Sequence, residues 1–246
     1  MNTEDNTKSA IEGHIFHRYD DEMQALIRLV VEMSKLVSEQ IQECGKAIRK
    51  SDIDRARRVL ELDKEVDRHD DAIEDEIYRL LALRHPVARD LRVLMTVNRL
   101  GSYLERIGDQ ARGIAGRLVK LYSEDEMPDK RLLSDLPRMA NYVNAMLEMS
   151  IRAFETMDVE LALEVINMDD ELNEQFDASL RALTTFVVED PRRVGNAVEV
   201  VLGLRSLDRM GGHAKSIGRQ VIFMAKGINV RHQGARELAA EIRSRK

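Results

Sequence analysis

Apolar residues recur along the chain at spacings of three and four, the signature of helices with one buried face. Ile27, Val30, Val31, Ser34, Val37, Ile41 and Cys44 fall on one such face, and Met139, Val143, Met146, Leu147, Ser150 and Phe154 fall on another. No stretch alternates in the period of two that a half-buried strand requires. The pattern predicts six long helices, over residues 14–49, 52–84, 87–121, 131–156, 159–188 and 192–227. The turns Lys50-Ser51-Asp52 and Met157-Asp158 each supply an aspartate placed to cap the next helix. Pro86 and Pro191, after His85 and Asp190, sit where a helix begins, because a first-turn residue has no intrahelical use for its N–H. Pro137 also lies near a helix start, and Pro128 marks a link between halves. Long helices on short turns run antiparallel, so the expected fold is all-α, with two tandem three-helix bundles.

The two halves repeat one another. Leu104-Glu-Arg-Ile-Gly-Asp-Gln-Ala-Arg-Gly-Ile114 returns as Leu207-Asp-Arg-Met-Gly-Gly-His-Ala-Lys-Ser-Ile217, an offset of 103. The block from Asp52 to Asp63 returns as Asp158 to Asp169, an offset of 106. The order of the blocks is kept, which marks an internal duplication. Residues 14–121 form the expected first repeat, 131–227 the second, and 228–246 a tail in which residues 235–242 are expected to add one short helix.

Composition narrows the function. Aromatics are 4% of the chain and Trp is absent, so the core is expected to be aliphatic. A net charge of -6 without a dense Lys/Arg cluster argues against nucleic acid as a partner. Cys44 is alone, so no internal disulfide is expected; it reads as a small buried helix residue. The polar, acidic start and the want of any long apolar run predict a cytoplasmic protein without a signal or a membrane span.

The chemistry that stands out is acidic. Asp63, Asp67 and Asp71 follow one another at intervals of four, within an arc of roughly 80°. Glu105 and Asp109 form a similar pair on the third helix. Antiparallel neighbours bring the two stripes together, and crowded carboxylates need protons or cations between them. Oxygen donors without His or Cys suit a hard cation such as Mg²⁺, Ca²⁺, Mn²⁺ or iron. In a chain this charged, the ordinary role of such acids is a solvated helix face. Two features favour a site. The set recurs in the second repeat as Asp169, Asp177 and Asp208, and Gly108 and Gly211 sit inside helices, where glycine costs about 1 kcal/mol against alanine and so implies close approach or ligand access. The second set is poorer, because Asn173 replaces Asp67 and Gly212 replaces Asp109, so weaker metal binding is expected there. His213 reads as solvent-facing, and the five tyrosines as packing or rim residues.

Leu104-Glu-Arg-Ile-Gly-Asp-Gln-Ala111 resembles the repeated motif of the PhoU family of phosphate-signalling regulators. Asp63-Lys-Glu-Val-Asp67 and Arg84-His-Pro-Val-Ala-Arg-Asp-Leu-Arg92 are similar to the family's first repeat. Phe186-Val-Val-Glu-Asp-Pro191 and Ala225-Lys-Gly-Ile-Asn-Val-Arg-His-Gln-Gly234 are similar to its second. The resemblance implies a six-helix, pseudo-twofold, cytoplasmic protein, often a homodimer. It implies divalent or trivalent metal ions (Mg, Mn, Ca, Fe or Zn) on Glu/Asp-x-x-x-Asp motifs, here Asp63/Asp67, Asp67/Asp71 and Glu105/Asp109. It implies regulation and not catalysis: repression of the phosphate-starvation response between a phosphate ABC transporter, through its ATPase, and a sensor histidine kinase. Membrane association would come only through those partners, and Lys226, Arg231 and His232 offer a basic contact. A metal-dependent hydrolase and a purely structural helical adaptor are the alternatives; no evident nucleophile accompanies the acids.

Overall fold

The computed structural model describes residues 4–84, 86–123 and 129–227, and the side chains within them other than those of 4–20, 88 and 89. Six helices carry the fold: α1 (Glu4–Lys50), α2 (Ile53–Arg84), α3 (Ala88–Tyr122), α4 (Asp135–Thr156), α5 (Val159–Glu189) and α6 (Val194–Lys226). No strand occurs among the described residues. The expected tail, with Arg231, His232 and the short helix, lies outside them.

The turn between the first two helices of each repeat is built twice in the same way. Ser51 and Met157 take left-handed backbone, with φ of 52° and 54°. Asp52 and Asp158 then turn their amides back to Ala47 O and Ala153 O, each at 3.0 Å. Their carboxylates cap the next helix: Asp52 accepts from Asp54 N and Arg55 N, and Asp158 from Glu160 N and Leu161 N. Each satisfies two amides that the first helical turn leaves without a carbonyl partner.

Three ends differ from the sequence expectation. Helix α1 begins at Glu4 and not near residue 14. Helix α4 begins at Asp135 and not at 131: Asp129 caps a hydrogen-bonded turn through Arg131 N, and Leu132 and Leu133 are buried from within it. Helix α6 is preceded by a 3-10 turn, Pro191–Arg193, capped by Asp190.

Helices α1, α2 and α3 pack on one another, as do α4, α5 and α6. The two bundles join where α1 lies on α4 and α3 lies on α6. Helices α2 and α5 each touch only their own bundle, so they are the two outer helices. One continuous apolar core runs through both halves, from Leu26, Val30 and Met33 through Leu104 and Ile107 to Met139, Leu204 and Met210. Each such side chain, fully buried, contributes about 1.5–3 kcal/mol.

The seams carry polar fastenings. Ser38 Oγ donates to Asn144 Oδ1 at 2.8 Å across α1 and α4. Across α3 and α6, Arg99 donates to Gln220 at 3.3 Å, and Glu199 meets Arg117 and Lys120 at 3.5 and 3.4 Å. His213 stacks on Tyr103, with ring centres 6.1 Å apart. It is half-buried in this seam and not the solvent-facing residue expected. Burial, with Arg106 and Arg209 nearby, pushes its imidazole down to about 4. Cys44 is buried as expected; its thiol faces Ala111 O at 3.4 Å, and burial pushes it up to about 12.

Candidate functional site

The acidic stripes of α2 and α3 do face each other. Asp63 is buried at the contact, and Gln40 of α1 donates to its Oδ1 at 3.1 Å. Arg112 Nε reaches Asp63 Oδ2 at 3.0 Å, and its Nη2 reaches Asp109 Oδ1, so one guanidinium clamps both helices. Burial raises the Asp63 carboxyl; Gln40 and Arg112 oppose this, while Asp67 and Asp109 add to it. Glu105 is perturbed further. Burial first, then Asp109, Asp70 and Asp67, push it up to about 7.

Asp70 joins the group at a half-buried position, while Asp67 and Asp71 are both exposed on α2, their charges still reaching Asp70. The reason is helical arithmetic. Seven residues fall about 20° short of two full turns, while eight overshoot by about 80°. Asp70 therefore shares the face of Asp63 better than Asp71 does. Its carboxyl is raised by burial first, then by Glu74, Asp71 and Asp67.

Two glycines make the approach possible. A Cβ at Gly101 would stand 2.9 Å from Asp70 Oδ1. One at Gly108 would stand 3.0 Å from Gln40 Oε1 and 3.3 Å from Val66 Cγ1. The buried Gln40 Oε1 has no hydrogen-bond partner, so an acceptor oxygen is stranded against the acidic hairpin. Such a group loses about 1–3 kcal/mol of solvation unless something offsets it.

The second repeat answers the same positions differently. Asp169 is buried and takes the ammonium of Lys215 at 2.7 Å. Asn173 donates to Asp169 O at 2.8 Å. Asp208 meets Arg205 at 3.0 Å; its carboxyl is raised by burial first, against Arg205, with Asp169 and the exposed Asp177 adding to the rise. The counterpart of Gln40 is Met146, and that of Asp70 is Phe176, which lies under the Arg205 guanidinium. A Cβ at Gly211 would stand 2.1 Å from Leu172 Cδ2, so here the glycine admits an apolar side chain.

In kind, the first-repeat donors fit a hard cation: five carboxylates and an orphaned amide oxygen, with Glu105 retaining a proton where positive charge is wanted. In placement, Arg112 supplies that charge. Among the described residues, no three His, Cys, Asp or Glu side chains stand close enough to hold a cation as they are. Sequence reasoning missed Gln40, Asp70, Arg112 and Lys215. The seven-residue step from Asp63 points to Asp70, and the matched basic pair Arg112/Lys215 is visible in the repeat. Nothing local signals Gln40.

Comparison with known proteins agrees with this architecture. The family model described as the PhoU domain matches the chain twice, over residues 30–118 and 136–221. A phosphate-specific transport system accessory protein PhoU homolog of Pseudomonas putida is 33% identical over 96% of this chain and 91% of its own. The accessory protein PhoU of Escherichia coli is 30% identical, covering 92% of each chain. The crystal structure of PhoU from Pseudomonas aeruginosa superposes with a TM-score of 0.81 and 31% identity, over 85% of this chain and 100% of that one. The PhoU structure from Streptococcus pneumoniae, at 23% identity and a TM-score of 0.78 over 86% and 99% of the two chains, shares the fold.

Proposed function

Because the chain belongs to the PhoU family, we propose that it is a non-enzymatic regulator of phosphate uptake and of the phosphate-starvation response, acting by docking onto other proteins. The names of its relatives as accessory proteins of a phosphate-specific transport system support this reading over a hydrolase or a passive adaptor. The partners we assign are the ATPase of a phosphate ABC transporter and a sensor histidine kinase, met in the cytoplasm by a homodimer. No helix among the described residues is long and apolar enough to cross a membrane.

The observation that carries docking is where the exposed apolar groups lie. Of the eleven well-exposed large apolar side chains among the described residues, all but Met157 sit on the α2–α3 and α5–α6 hairpins. Val87 is 73% exposed on one and Val188 76% on the other. Leu91 and Met95 of α3 answer to Val194 and Val198 of α6 at the repeat offset, so the stripe is duplicated with the fold. On α5–α6 it lines a groove of about 310 Å³ walled by Leu180, Val188, Val194 and Val198. Contiguous apolar surface on a charged protein marks a contact surface.

The acidic hairpin of α2 and α3 supplies the second part of the proposal, a site for a hard cation such as Mg²⁺, Mn²⁺, Ca²⁺ or iron on Asp63, Asp67, Asp70, Glu105 and Asp109. A bound cation would neutralise a face that otherwise repels itself and would release Arg112 from Asp63 and Asp109. Docking is tested by capture of the purified transporter ATPase and of the kinase's cytoplasmic part. Val188→Asp with Val198→Asp, and Val87→Asp with Met95→Asp, should each leave the melting temperature within a few degrees, since those side chains are well exposed or half-exposed. At least one pair should weaken capture of a partner more than tenfold. Undiminished capture of both partners by both variants would contradict the assignment.

A further inference from the structure

Arg112 and Lys215 occupy the same position in the two repeats, and each holds the buried aspartate opposite, Asp63 or Asp169. Their settings differ. The Arg112 side chain is 52% exposed and reaches in from solvent, dividing its guanidinium between Asp63 and Asp109. The Lys215 side chain is 21% exposed, and its compact ammonium sits 2.7 Å from one carboxylate oxygen. Charge differs too. In the first repeat Asp63 and Asp109 share the Arg112 guanidinium, with the carboxyls of Asp67, Asp70 and Glu105 close by. In the second, Lys215 answers Asp169 and Arg205 answers Asp208. The remaining counterparts there have lost their charge or their polarity: Met146, Asn173, Phe176 and Gly212.

We propose that Lys215 is the resident cation of the second repeat: its tethered ammonium holds the place opposite Asp169, so the chain has one exchangeable cation site and one permanently closed one. The open site is the one assigned under the proposed function, and the closure is a separate claim about Lys215. It makes the duplicated fold asymmetric. Cation supply would change the charge of the α2–α3 hairpin alone, while the α5–α6 hairpin keeps a fixed electrostatic face.

The test counts Mn²⁺ bound to the full chain by electron paramagnetic resonance, alongside thermal melting. Asp67→Asn with Asp109→Asn disables the first repeat. In that background, with Lys215 present, no Mn²⁺ should bind and added Mn²⁺ should not shift melting. Adding Lys215→Met should lower the melting temperature by several degrees without metal. Mn²⁺ should then bind at one per chain and recover most of that loss. Lys215→Arg should keep the melting temperature without admitting Mn²⁺. A Lys215→Met protein that folds only with Mn²⁺ gives the same answer. The proposal is overturned if Mn²⁺ binds the disabled background with Lys215 intact, or if Lys215→Met neither binds Mn²⁺ nor is rescued by it. An unaltered chain that binds no Mn²⁺ would sink the first-repeat site instead, and the Lys215→Met result would still decide this one.

Discussion

At Gly211 a Cβ would meet Leu172 Cδ2 at 2.1 Å, whereas at the next residue, Gly212, nothing stands within 4 Å. Both lie inside α6, so alanine should gain about 1 kcal/mol of helix propensity at either. At Gly211 that gain is outweighed, because Leu172 is fully buried and overpacking costs typically about 1–3 kcal/mol. Gly211→Ala should therefore lose roughly 1 kcal/mol net, and Gly212→Ala should gain up to about 1 kcal/mol, read as opposite shifts of the urea midpoint. Titration at Glu105 has a definite sign. Its carboxyl is raised from 4.5 to about 7, so the folded state binds more protons across that window and stability falls as pH rises through it. His213, lowered from 6.5 to about 4, works the other way: its contribution is intact above 6.5 and is lost as pH falls toward 4. Glu105→Gln should flatten the decline above pH 5, measured as the denaturation midpoint against pH. An unchanged profile would mean that Glu105 is not the titrating group.

Among the helices, the two Asp-capped turns are the most transferable element of the fold. Asp52→Ala and Asp158→Ala should each cost about 1 kcal/mol. They share no partner, so the double variant should cost the sum, within about 0.5 kcal/mol. A double variant much worse than the sum would mean that the turns are coupled through the shared core. These turns were legible in the sequence because the cap is local: an aspartate, a short link and the restart of an apolar stripe. The start of α4 was not, because Leu132, Leu133 and Leu136 continue a helical spacing while Asp129 diverts the backbone into a turn through Arg131 N. The candidate site was half legible for a similar reason. Spacing along α2 and α3 is enough to place Asp63, Asp67, Glu105 and Asp109 near one helix contact. Asp70 lies nearer the contact than Asp71 because of how α2 is turned toward α3, and Gly101 and Gly108 leave room for that close approach. Gln40 belongs to α1, and only the packed bundle brings it to Asp63.

Across the whole molecule, duplication has produced one core and two unlike hairpins. The α1–α4 and α3–α6 seams weld the bundles, while α2 and α5 stay on the outside, each beside an acidic contact and an exposed apolar stripe. At the α2–α3 contact Asp63 and Asp109 share one half-exposed Arg112; at the α5–α6 contact Lys215 takes Asp169 and Arg205 takes Asp208. A regulator that reads its surroundings through one hairpin and grips partners with apolar stripes on both would use this asymmetry. The most direct measurement is a phosphate-starvation reporter, read in phosphate-replete cells that lack this gene and any second gene of the family. The reporter should be derepressed in those cells and silenced again by the unaltered chain. Glu105→Ala with Asp109→Ala should silence it only in part, with the protein present at normal levels. A reporter that stays silent without the gene would contradict the account, whatever the fold.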